Sequence, residues 1–143
     1  MEEKYPIQSL LNLAIQYDES GQPIGYAPGS TVGYARVRDT ATLNVRLNHP
    51  VVRNNLPQDL KFMWSAKELT DDDRLPMGLI YLHAIKVPRT GPQVSGKDIK
   101  YADLDNSQIG KFGVRMVMND IGADKWNAMT KANLKRQVAI TMD

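Results

Sequence analysis

Residues 94–143 read VSGKDIKYADLDNSQIGKFGVRMVMNDIGADKWNAMTKANLKRQVAITMD. Lys111–Met118 is the clearest strand in the chain. Phe112, Val114, Met116 and Met118 fall on one parity, and Lys111, Gly113 and Arg115 on the other. A helix begins at Asn119 or Asp120. Its Ala123, Trp126, Met129 or Thr130, and Asn133 recur at helical spacing, a face suited to lie across a sheet. Val138–Met142 is a short apolar run that predicts a last core strand. A chain that stops on such a strand, at Asp143, reads as a piece excised from something longer. Before Phe112, Asp98–Ala102 is a weak extended segment and Asp103–Gly110 a polar connection.

The region before this frame supplies the rest of the sheet. Gly78–Val87 is apolar on both parities apart from His83 and Lys86, the pattern of a central strand. Leu60, Phe62 and Trp64 alternate with Lys61, Met63 and Ser65, so Asp59–Ala66 reads as a half-buried strand. Glu68–Arg74 between them is an acidic, exposed turn. Asp39 is a suitable helix N-cap, its carboxylate able to accept from the free amides of the next turn. Leu43, Leu47, Val51 or Val52, and Leu56 then form one stripe. Pro50 cannot donate a helical hydrogen bond, which predicts a break and a second short helix starting there. Thr31–Val37 reads as a short strand. Asp18–Gly29 is a loop by its Gly21, Pro23, Gly25, Pro28 and Gly29. In Ile7–Ile15 helical and alternating periods compete.

These elements predict an α+β fold, a mainly antiparallel sheet with helices packed on one face, ferredoxin-like. Residues 1–30 form a poorly defined N-terminal segment and loop, and 31–143 a single domain. The 143 residues can bury one real core. Net charge is only +2 with both signs mixed, and no Lys/Arg run marks a nucleic-acid face. The chain has no cysteine, which excludes disulfides and thiolate metal sites. Its apolar runs are too short for a transmembrane helix, and Met1-Glu-Glu-Lys4 is not a secretory leader.

Several motifs invite a chemical reading. Gly91-Pro-Gln-Val-Ser-Gly96-Lys97 fits the G-x-x-x-x-G-K of a phosphate-binding loop. However, Asp98 stands where a magnesium-binding Ser or Thr is needed, and Pro92 removes one amide from the cradle. Gly110–Val117 is faintly similar to an RNA-binding signature of the RRM fold. That surface needs several aromatics to stack bases, and only Phe112 is present. An apolar row such as Phe112, Val114 and Met116 reads as core, and Trp126 as a packing residue. His49 sits at a helix junction and His83 in a strand, with no metal-ligand spacing between them. Asp71-Asp-Asp73 reads as a solvated turn. No nucleophile elbow is present. The residues therefore point to no catalytic, cofactor or metal site.

Taken in order, residues 94–143 resemble the SecD family of protein-export membrane proteins. That family carries L/V-T-G-x-x-I-x-x-A, a loop, V-x-x-x-L-[ND], a small-residue helix start, an aromatic, T-x-x-N-[IV]-G-K and A-I-V-L-D. Here stand Val94-Ser95-Gly96, Ile99 and Ala102, then Val114 through Met118-Asn119, Gly122-Ala123 and Trp126. Thr130-Lys-Ala-Asn133-Leu134 and Val138-Ala-Ile-Thr-Met-Asp143 follow. Upstream, Val32-Gly-Tyr-Ala35, Asp39-Thr-Ala41, Leu56–Trp64 and Tyr81–Val87 are similar to the longer head of fused SecDF chains. One position departs: Lys135 replaces the family's glycine. Glycine there suits a left-handed helix end, where a lysine costs about 1 kcal/mol. Either the helix ends differently or the strain is tolerated.

The resemblance implies the head part of the first large periplasmic domain of SecD or SecDF, on the extracytoplasmic face of the bacterial inner membrane. It implies no enzyme and no cofactor. The partners implied are unfolded preprotein, the Sec channel and the rest of SecD and SecF, with no nucleic acid and no membrane span in this segment. In that family the proton-carrying charges lie in membrane helices, so this part would be moved by coupling elsewhere. Engagement of the emerging polypeptide would use exposed apolar residues or a sheet edge. Strand parity offers Met63, Tyr81 and Tyr101 as contacts. The competing reading is an independent ferredoxin-like module that binds RNA or a small ligand; an enzyme has the least support.

Overall fold

The computed structural model describes residues 7–106, 109–110 and 112–142. Residues up to Val87 gather into one compact unit and those from Pro88 into another. The fold is α+β with mainly antiparallel sheets.

The first unit is built on a four-stranded sheet in the order β1 (Leu11–Leu13), β4 (Thr31–Arg36), β6 (Leu79–Lys86), β5 (Leu60–Trp64). All three pairings are antiparallel. Since β4 and β5 flank β6, they run parallel to each other. Helices α1 (Thr40–Leu47) and α2 (Pro50–Arg53) connect them, a split β-α-β unit. As its pattern predicts, β6 is central. The alternation of Leu60, Phe62 and Trp64 also holds: they share one face, and Trp64 Nε1 donates to Asn44 Oδ1 of α1 at 2.8 Å. That face carries the core, where Leu11, Ala35, Leu43, Leu47 and Leu82 are buried and Val32, Phe62 and Trp64 pack against them. Burying a leucine such as Leu43 or Leu82 contributes roughly 1.5–3 kcal/mol. Pro50 breaks the helical stripe as expected. His49 caps α2, its Nδ1 accepting from the Val51 amide at 3.3 Å.

Gly33 sets the approach of β1. A Cβ there would overlap the Asn12 carbonyl oxygen and stand 2.9 Å from the Asn12 carbonyl carbon. Only glycine lets these two backbones meet.

Two expectations in this unit are corrected. Asp39 occupies the N-cap position of α1, but its side chain makes no capping bond. Val37–Asp39 form a 3-10 turn that runs into α1, and Thr40 Oγ1 donates to the Val37 carbonyl instead. The loop predicted over Asp18–Gly29 contains a strand, β3 (Pro23–Tyr26), paired with β2 (Ile15–Tyr17). The turn between them is organised by Asp18. Its Oδ1 accepts from the Ser20 hydroxyl, the Gln22 amide and the Ser20 amide. The Ser20 hydroxyl, then the Gln22 amide, lower the Asp18 pKa.

The second unit consists of a 3-10 turn (Gly96–Asp98), a hairpin of β7 (Ile99–Asp105) and β8 (Gly113–Met118), and helix α3 (Asp120–Ala132). Asn119 caps α3, its Oδ1 accepting from the Gly122 amide at 2.8 Å. β7 extends through Asp105, beyond the extended segment read from the residues. Lys111 and Asp143 lie outside the described residues.

Here the predicted packing is corrected most. Val138–Met142 forms no strand, and Val138, Ile140 and Met142 are exposed. A strand needs a partner for its amides and carbonyls. Among the described residues β7 and β8 pair only with each other. Phe112 precedes β8, and the Phe112, Val114 and Met116 row is exposed, not core. Among the described residues, no helix is long and apolar enough to cross a membrane.

Candidate functional site

In the first unit, strand alternation sends Leu11, Ala35, Leu82 and Trp64 toward α1 and their neighbours to the opposite face. Cross-strand register then arranges that opposite face in rows. Asn12 lies across from Tyr34, and Tyr34 across from Tyr81. Met63 faces His83, and Lys61 faces Ile85. Tyr34 is 37% and Tyr81 39% exposed. The surface is thus aromatic and thioether in character, with two cationic neighbours, Lys61 on β5 and Arg36 on β4.

His83 fixes this face. Its Nδ1 lies 3.1 Å from Ser30 Oγ and 3.4 Å from Thr31 Oγ1. Its Nε2 lies 2.9 Å from Ser65 Oγ. The ring also meets Tyr81 with centroids 6.3 Å apart and planes tilted by 57°. Both nitrogens have hydroxyl partners, so the imidazole ties the start of β4 and the residue after β5 to β6.

The structure brings together two of the three contacts chosen by parity. Met63 and Tyr81 share the face opposite α1. Tyr101 lies in the second unit, on β7 across from Val117, and is 46% exposed. Tyr34, which parity did not single out, lies on β4 across from Tyr81 on the same face.

A second constellation organises the other unit. Ser95 and Asp98 form a capping box, in which the Ser95 amide donates to Asp98 Oδ2 at 2.9 Å. Lys125 Nζ donates to Asp98 Oδ1 at 2.9 Å. Asn119 donates its amide to the Asp98 carbonyl at 3.0 Å and its Nδ2 to the Lys97 carbonyl at 3.1 Å. Asp98 is buried. The Ser95 amide, then the Lys125 ammonium, hold its carboxyl below the usual carboxylate range. The G-K dipeptide thus belongs to a turn that runs into a strand, where a phosphate loop would open a helix. The Ser95 amide of that loop is taken by Asp98.

No protein-family profile matches the chain, and no solved structure matches it. Among curated proteins it is similar to the protein translocase subunit SecD of Rhodothermus marinus. The two are 30% identical over 125 residues, which is 85% of this chain and 19% of that subunit. The chain therefore spans about a fifth of the relative's length. The family recognised in the ordered motif of residues 94–143 is the one found by this comparison, and the chain is a SecD-related domain.

Proposed function

We propose that this chain is part of the periplasmic head of a Sec translocase accessory subunit, engaging the emerging preprotein during proton-driven export. The observation that carries the reading is the similarity to SecD over 85% of the chain. Both units belong to that head in this reading, and it works as a moved part without chemistry of its own. Its partners are unfolded preprotein, the Sec channel and the remainder of SecD and SecF.

Support for polypeptide engagement comes from the face bearing Tyr34, Met63 and Tyr81. A thioether adapts to varied side chains, and tyrosines offer apolar area with a polar tip. Such a surface suits weak, sequence-tolerant contact. Tyr101 adds a separate exposed aromatic on β7.

The reading is tested by titrating the chain with an unfolded presecretory protein and with an RNA oligonucleotide. Saturable binding of the polypeptide is expected, weakened in a Met63→Ser, Tyr81→Ser double variant. Tight, salt-sensitive RNA binding with no polypeptide binding overturns it.

A further inference from the structure

We infer that the outer edge of β5 is a docking strand for extended polypeptide, which adds to the first unit's sheet through main-chain hydrogen bonds. The inference rests on the proposed engagement of preprotein and gives it a place and a geometry.

The orientation of β5 follows from two bonds at its ends. The Ser65 amide donates to the Tyr81 carbonyl at 3.0 Å, and the Val87 amide donates to the Asp59 carbonyl at 2.7 Å. In an antiparallel pair the bonded residues alternate. Asp59, Lys61, Met63 and Ser65 therefore turn their main-chain groups toward β6, while Leu60, Phe62 and Trp64 turn theirs outward. Leu60 is already satisfied, since its amide donates to the Pro57 carbonyl and its carbonyl accepts from Arg53 Nη1 at 3.1 Å. Phe62 and Trp64 remain, and β5 ends the sheet with β6 as its one paired neighbour among the described strands. An alternating set of amide and carbonyl groups along a strand edge is complementary to one ligand chemistry, an extended backbone.

Other edges are less suited. β1 has three residues, and its Leu11 amide donates to the Ile7 carbonyl. β2 and β7 carry register shifts, and β3 contains Pro23. β8 lies in a two-stranded hairpin with no layer of buried apolar side chains among the described residues, a marginal platform. β5 has no register shift and no proline. The Phe62 side chain packs on the core, and Trp64 is fixed by Asn44. Its one charged side chain is Lys61. An added strand would also bring alternate side chains beside Met63, on the face that Tyr81 shares. The open stretch is short, so binding is weak and indifferent to sequence, as contact with a passing chain requires.

The test uses the full chain with reduced, carboxymethylated α-lactalbumin as a permanently unfolded probe, and residue-resolved amide exchange by NMR. Exchange at Phe62 and Trp64 is expected to slow on the order of tenfold. Lys61 and Met63 amides, already bonded to β6, serve as internal controls and stay unchanged. A synthetic Val/Thr hexapeptide should compete for the site, and its fully N-methylated form should not. Probe binding without slowing at Phe62 and Trp64 overturns the edge assignment and leaves the engagement reading standing. Absence of any probe binding removes both. Slowing that grows with protein concentration alone identifies a second copy of the chain as the occupant and overturns the inference.

Discussion

Gly122 packs directly on the main chain of Asp98: a Cβ at Gly122 would stand 2.5 Å from the Asp98 carbonyl oxygen and 2.8 Å from its Cβ. The start of α3 is thereby pressed against the turn that opens β7. In an open helix, replacing glycine by alanine gains about 1 kcal/mol. Here the clash is with main chain, which cannot swing aside, and overpacking of this kind costs about 1–3 kcal/mol. Gly122→Ala is therefore expected to lower stability. Urea unfolding followed by Trp126 fluorescence, in a Trp64→Phe background, reads the second unit. A variant as stable as its parent would show that α3 can slide off Asp98.

Asp98 makes that junction acid-sensitive. Its pKa is lowered from the ordinary 3.8 by the Ser95 amide first and by Lys125 next. A carboxyl whose folded pKa lies below its unfolded one contributes stability that is fully present above the unfolded value. That contribution begins to fall as pH drops toward 3.8 and is gone below the folded pKa. Asp98→Asn is expected to lower the thermal midpoint at neutral pH and to flatten its decline between neutrality and strong acid. Identical acid limbs in variant and parent would contradict the assignment.

What the sequence revealed, and what it hid, follows from where the information resides. β5 is readable because its apolar positions alternate, β6 because it is apolar on both parities, and the break at Pro50 because proline cannot donate. β3 was hidden by Pro23 and Gly25, which punctuate loops but also sit in a short edge hairpin. Val138–Met142 is apolar yet forms no strand, because an apolar run says nothing about whether a partner strand is present. The central role of Asp98 was legible in principle, since Ser95 and Asp98 have capping-box spacing. Gly96-Lys97, between them, also completes a phosphate-loop pattern, which masks that spacing. Of the residues proposed as contacts, Met63 and Tyr81 follow from parity, while the proposed β5 edge needs the hydrogen-bond phase that only coordinates supply.

Gly33 tests the docking of β1. Its added methyl would meet the Asn12 carbonyl group, again main chain. Gly33→Ala should separate β1 from β4 and uncover Leu11, whose side chain belongs to the core. A loss of about 2 kcal/mol or more is expected, within the range for disrupted core packing. Trp64 fluorescence in a Trp126→Phe background reports the first unit. Amide exchange at Asn12 and Tyr34, whose main-chain groups face each other across the β1–β4 pair, should accelerate well before that at Leu82 on the central strand. Uniform acceleration would instead mean that β1 and the rest of the sheet open together.

Lys135 replaces the glycine of the resembling family and adopts a left-handed backbone, φ +61°. The turn follows α3 directly. The Asn133 amide donates to the Thr130 carbonyl, and the Arg136 amide to the Asn133 carbonyl. Both alternatives raised by the substitution thus have an answer: the chain keeps the glycine-type turn and bears the strain. A side chain in this region costs about 1–2 kcal/mol. Glycine removes that strain but gives back up to about 1 kcal/mol through its greater freedom in the unfolded chain. Lys135→Gly is therefore expected to stabilise the second unit by about 0.5–1 kcal/mol. Lys135→Asn should gain less, since asparagine keeps a Cβ and relieves only part of the strain. Chemical denaturation of the three proteins gives the order Gly, Asn, Lys from most to least stable. A Lys135→Ala variant should leave stability within a few tenths of a kcal/mol, because alanine keeps the Cβ. If alanine stabilised as much as glycine, the lysine head and not the backbone would be the source of the strain.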